Sequence, residues 1–205
     1  MFLRNRHPLW IRLVLILAAI SLFVLAYQWG NQYQRRSAAS PVIGGLLIRP
    51  PASLPDFELR EALGRTYSQE DLSQGWTLLA FGDLSRASGQ LAVQRLIDVY
   101  NRVADERALR KQLRLVLVTT GDDPNLSRDF AGLLPALKLL GGDAEQIERL
   151  RADIGLGSAE TPAIFVVAPG GYVLAFLPET EGAAQMADDL KAIHAGSELL
   201  LPETP

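Results

Sequence analysis

Gly75-Trp76-Thr77-Leu78-Leu79-Ala80-Phe81-Gly82 is an apolar run closed at both ends by glycine. Six consecutive residues without a charge, rich in aromatic and branched side chains, suit a strand covered on both faces. Downstream, Leu91, Val93, Leu96, Ile97, Tyr100 and Val103 recur at helical spacing, which predicts a helix from about Ser88 to Arg110. A second continuous apolar run, Leu113 to Thr119, predicts the next strand. Asp123-Pro124 opens another helix, since an acid before proline is an N-terminal signal. Asp143 to Ile154 is amphipathic with its acids at the start, where the helix dipole favours them.

Strands Pro162–Ala168 and Tyr172–Leu177 flank Pro169-Gly170-Gly171, a hairpin turn, and a last helix runs from about Glu181 to His194. Upstream, Phe57-Glu58-Leu59 and Thr66-Tyr67 flank Gly64 as a short hairpin, and Ser68-Gln69-Glu70-Asp71 forms a capping box over one helical turn. Strands separated by helices, then a terminal hairpin and helix, define an α/β sandwich with a mixed central sheet.

At the other end of the chain, Leu13 to Tyr27 carries no charge. Extended to residues 9–29, a helix at about 1.5 Å per residue spans a hydrocarbon core of about 30 Å. Trp10, Tyr27 and Trp29 suit the two interfaces, and Arg12 can extend to the headgroups. Arg4, Arg6 and Arg12 keep residues 1–8 in the cytoplasm, which Arg35 and Arg36 do not reverse. Cleavage as a signal peptide fits less well, because Ser37-Ala38-Ala39-Ser40 lies far beyond the apolar run and bulky residues follow that run directly. Residues 30–54 read as a linker that begins polar, passes through Gly44-Gly45 and ends in Pro50-Pro51. The domain is expected over 55–197, with a tail over 198–205.

Charge and composition narrow the chemistry. All five basic residues of positions 1–44 stand there without an acid, so the rest carries 15 basic against 23 acidic side chains. Such an acidic domain repels phosphate backbones, and no nucleic-acid partner is expected. The chain has no cysteine, which excludes disulfides, thiolate nucleophiles and iron–sulfur ligation. With only His7 and His194, no His-rich metal site is expected, nor any cofactor. No Ser/His/Asp arrangement or phosphate-binding glycine loop is present, so catalysis is not expected.

From Leu46 onward the chain resembles the Sco/SenC family, thioredoxin-like, membrane-anchored proteins that deliver copper during cytochrome c oxidase assembly. The resemblance is carried by Leu54-Pro55-Asp56-Phe57-Glu58-Leu59 with Gly64, by Asp71-Leu72, by Gly75 to Gly82, and by Asp122-Asp123-Pro124. Gly142-Asp143-Ala144-Glu145-Gln146-Ile147 and Ile164 to Gly171 complete it, six pieces in order over most of residues 46–195. It implies a thioredoxin-like fold preceded by one transmembrane helix. It also implies an inner-membrane location with the domain in the periplasm, or in the intermembrane space of a mitochondrion.

The family's two copper-ligating cysteines fall on Arg86 and Gln90, and its ligand histidine near Glu160. Copper(I) favours soft thiolates and imidazole, and a guanidinium offers no lone pair. What the resemblance leaves is a scaffold that binds a protein, an oxidase subunit or assembly factor, through a face including Arg86, Gln90, Glu160 and Pro162. Thr161-Pro162 resembles the cis-proline segment of thioredoxins.

Blander readings stand beside these. Arg86 and Glu160 can be solvated loop charges, Asp122 and Asp123 turn and capping residues, His194 a dipole partner and Met186 core filler. A general envelope interaction module and a carboxylate enzyme around Asp122, Asp123 and Glu160 are the alternative functions.

Overall fold

The computed structural model describes residues 9–36, 41–61, 64–119, 121, 124–132, 134–155 and 163–201. The chain divides into two units, residues 1–40 and 41–205. In the first, helix α1 runs Leu9–Arg36. Its side chains are described without a gap from Val14 to Leu25, where Val14, Leu15, Ile16, Leu17, Leu22 and Phe23 are all exposed. Among the described residues no helix is long and apolar enough to cross a membrane.

The second unit is built on one sheet. Its strands are β1 (Leu46–Ser53), β2 (Glu58–Glu61), β3 (Thr66–Ser68), β4 (Trp76–Phe81), β5 (Leu113–Thr119), β6 (Leu137–Gly141), β7 (Ile164–Ala168) and β8 (Tyr172–Leu177). Its helices are α2 (Gln69–Ser73), α3 (Ala87–Arg102), α4 (Arg107–Gln112), α5 (Pro124–Ala131), α6 (Ala144–Asp153), α7 (Ala183–Ala195) and α8 (Ser197–Leu200). The strand order is β1-β8-β7-β4-β5-β6-β2-β3. β4, β5 and β6 are parallel, and every other pairing is antiparallel, so the sheet is mixed as expected.

β4 is central, between β7 and β5, and this explains its unbroken apolar reading. Successive strand residues point to opposite faces. Leu78 and Ala80 pack with Val93 and Leu96 of α3 and with Met186 and Leu190 of α7. Leu79, between them, packs on the other face with Leu72 of α2 and Ile147 of α6. Met186 is fully buried, a core residue as read. His194, in the last turn of α7, meets Trp76 edge to face at 5.4 Å.

Local chemistry sets the ends of these elements. The Ser68 N–H donates to Asp71 Oδ2 at 3.0 Å, half of the capping box that opens α2. Gly170 and Gly171 adopt φ of 87° and 77° in the β7–β8 turn, a region that other side chains enter at a cost.

Three departures from the sequence reading have physical reasons. Residues 46–53, expected as linker, form β1 and pair with β8. Proline is tolerated there because β1 is an edge strand with a register shift between Leu47 and Ala52. The helix expected over 88–110 is two helices, α3 and α4, separated by a turn in which Glu106 N–H donates to Val103 O. Finally, β6 and α8 are additional to the elements expected from sequence, both being short; Lys138 of β6 pairs with Glu61 of β2 at 2.7 Å.

Candidate protein-binding site

The loop from β4 into α3 carries the first two candidate residues. The Gly82 N–H still donates to Val118 O of β5, so the chain leaves the sheet only at Asp83. Asp83 then organises the turn. Its Oδ1 accepts the Ser85 N–H at 2.9 Å and the Ser85 hydroxyl at 2.6 Å, and its carbonyl accepts the Arg86 N–H. The Ser85 hydroxyl first, and then the Ser85 N–H, hold the Asp83 carboxyl below the usual carboxylate range. The Arg86 guanidinium adds a smaller push in the same direction.

Arg86 takes the position before the first turn of α3 with extended backbone, and its carbonyl accepts the Gln90 N–H. Its Nε lies 3.4 Å from Asp83 Oδ2 while the side chain remains 64% exposed. Gln90 is exposed too, and Gln90 Nε2 donates to the carbonyl of Leu84, the buried plug of the loop. Both candidates are therefore held by their backbone and present polar groups outward.

The opposite wall comes from β7 and β8. Ala80 near the end of β4 registers with Ile164 at the start of β7, and Ile164 registers with Leu177 at the end of β8. The β4–α3 loop, Ala163 at the entry to β7 and the β8–α7 loop thus share one end of the sheet. Glu160, Thr161 and Pro162 lie outside the described residues, as do Asp122 and Asp123.

Two further residues belong to this end. Leu91, read as a core residue of α3, is 41% exposed. Arg95, one turn on, donates to the carbonyls of Glu179 and Glu181 and fixes the β8–α7 loop, the second at 2.8 Å. Leu91, Arg95, Ala163, Ile164 and Glu179 line a cleft of only about 10 Å³. Small-molecule sites run to about 300–1,000 Å³, so this cleft is too small to enclose a ligand of that kind. A groove of about 430 Å³ does exist, lined by Asp56, Glu58, Arg149 and Asp153 beside α6. It is open and mixed in charge, and lies on different elements from the candidate loop.

Asp83 and Leu91 are site residues that the sequence reading misses. Asp83-Leu84-Ser85 is a readable signal, since an aspartate commonly bonds the backbone two residues on. The exposure of Leu91 has no signal in the helical spacing, which places it on the apolar stripe. Among the described residues no cluster of three His, Asp or Glu side chains could hold a metal ion.

No protein-family model and no curated protein sequence matches the chain. Solved structures do. Copper-bound ScoI of Arabidopsis thaliana aligns with a TM-score of 0.60 at 16% identity, over 70% of this chain and 99% of that one. Apo Sco1 of Thermus thermophilus aligns at 0.60 with 18% identity, over 76% of this chain and 99% of that one. BsSco, described as a member of the Sco family of cytochrome c oxidase assembly proteins with a disulfide switch, aligns at 0.57 with 16% identity, over 76% and 98%. The domain has the thioredoxin-like fold of the Sco/SenC proteins, built without a cysteine.

Proposed function

We propose that this chain is a membrane-anchored, non-catalytic Sco-like protein that works by binding another protein in the assembly of a respiratory oxidase. The observation that carries the reading is a Sco fold combined with no cysteine anywhere in the chain. A scaffold that cannot hold copper(I) through thiolates can still dock, because docking depends on shape and charge. The binding face is the sheet end that bears Arg86, Gln90 and Leu91, together with residues 160–162.

The anchor is the helix over residues 9–29. Its support is the uncharged run Leu13 to Tyr27, the helical backbone of α1, and apolar side chains exposed on consecutive residues, as lipid contact requires. Residues 1–8 stay in the cytoplasm and the domain faces the periplasm.

Capture of the full-length protein from mild detergent, followed by mass spectrometry, tests the reading. Enrichment of oxidase subunits or their assembly factors is the expected result. Enrichment of envelope proteins unconnected with the oxidase would assign the scaffold to a different task. A reporter fused after Pro205 should work only outside the cytoplasm, and activity of a cytoplasmic reporter there would reverse the topology.

A further inference from the structure

The segment leading into β1 is threaded between β8 and α7. Gly45 donates its N–H to Asp189 Oδ2 at 2.9 Å, and Gln185 Nε2 donates to Oδ1 at 2.8 Å. Asp189 is 2% exposed, so these bonds satisfy a carboxylate inside the protein. A Cβ on Gly45 would lie 2.7 Å from both the Phe176 carbonyl and Leu177 Cδ2, and one on Gly44 would lie 3.0 Å from Glu181 Oε1. The two glycines therefore act as a close-fitting thread, with Glu181 over one side of it.

Glu181 is the unresolved group in this seat. Its Oε2 is buried and has no hydrogen-bond partner among the described residues. A buried carboxylate oxygen without a donor, beside a second carboxylate, disfavours the ionised form. The surrounding elements do not offset this. α3 contributes Arg95, which is engaged by backbone carbonyls; β8 contributes apolar Phe176 and Leu177; α7 contributes uncharged Gln185 and the Asp189 carboxylate itself.

We propose that Glu181 is a proton-sensitive latch over the Gly44–Gly45 thread, which seats β1 against β8 when neutral and loosens it when ionised. Burial, and then the Asp189 carboxylate, push the Glu181 carboxyl above its ordinary value. A carboxyl raised in the seated state and ordinary in the released state binds its proton more tightly when seated. Its stabilisation is fully present below the ordinary glutamate range, and is lost as pH rises through the raised value.

Amide hydrogen exchange on the full-length protein in detergent micelles, corrected for intrinsic rates, tests this from about pH 5 to about pH 8. Protection of Gly45 and Leu47 should fall with rising pH, while that of Leu79 and Val116 in the central strands stays level. Glu181→Gln should abolish the pH dependence and keep the protected state throughout. Asp189→Asn retains an oxygen acceptor but removes a carboxylate that raises Glu181, so the loss should move to lower pH; a loss left unmoved overturns the role of Asp189 in the latch. Glu181→Gln with a wild-type pH profile, or a wild-type protein whose β1 protection does not change, overturns the proposal.

Discussion

Gly82 and Gly89 pack backbone against backbone: a Cβ placed on Gly82 would come within 2.9 Å of the Gly89 Cα. The return contact is tighter, since a Cβ on Gly89 would run into the Asp83 carbonyl. That carbonyl accepts the Arg86 N–H, so the obstacle is fixed backbone. Gly89→Ala should therefore destabilise the domain by about 2 kcal/mol despite the better helix propensity of alanine. Urea unfolding measures it, and an unchanged midpoint would show that the loop is loosely packed.

Acid dependence should report on the same loop. Asp83 has its carboxyl held low by Ser85, so its contribution to stability is present above the ordinary carboxylate range and lost as pH falls through its lowered value. Ser85→Ala removes the largest cause. The Asp83 midpoint in a carbon-detected NMR titration should rise toward the ordinary value, and the protein should lose stability at neutral pH. A midpoint that stays put would mean the hydroxyl bond is not formed in solution.

Docking and folding can be separated at Arg86. Its ion pair with Asp83 is exposed, and such pairs contribute about 0–1 kcal/mol. Arg86→Glu should leave the unfolding midpoint nearly unchanged yet weaken partner capture on the order of tenfold, about 1.4 kcal/mol. Leu91→Ser, on an already exposed side chain, should act in the same direction. Capture that survives both substitutions undiminished places the binding face elsewhere.

The central strands were legible because burial on both faces leaves only apolar residues, as Trp76 to Phe81 and Leu113 to Thr119 show. β1 was not, because Gly44, Gly45, Pro50 and Pro51 carry the chemistry of a linker. Their tolerance depends on where the strand lies in the sheet, which is a tertiary fact. The helical spacing from Leu91 to Val103 was right about α3, yet spacing alone could not tell that Leu91 stays open to solvent. At the site, Arg86 and Gln90 were placed by resemblance, whereas Asp83 acts through short-range bonds that only the folded loop displays.

Copper binding offers a direct chemical check. With no cysteine and two histidines in the whole chain, the purified protein should release copper(I) to a moderate chelator. Stoichiometric copper that resists the chelator would require a donor set built from other residues.

The status of residues 41–45 can be decided by two neighbouring substitutions. At Gly45 an added Cβ meets the Phe176 carbonyl at 2.7 Å, an atom of β8 backbone that cannot swing aside. At Gly44 it meets Glu181 Oε1 at 3.0 Å and Gln185 Cγ at 3.4 Å, both on side chains that can rotate. Gly45→Ala should thus cost about 1–3 kcal/mol and unseat the pairing of Leu46 with Phe176. Gly44→Ala should fall near zero, because the contact yields and alanine reduces the entropy of the unfolded chain by about 0.4–1 kcal/mol. A freely moving linker would tolerate both changes equally. Thermal unfolding of the two variants side by side separates the cases, and equal midpoints would remove the thread from the fold.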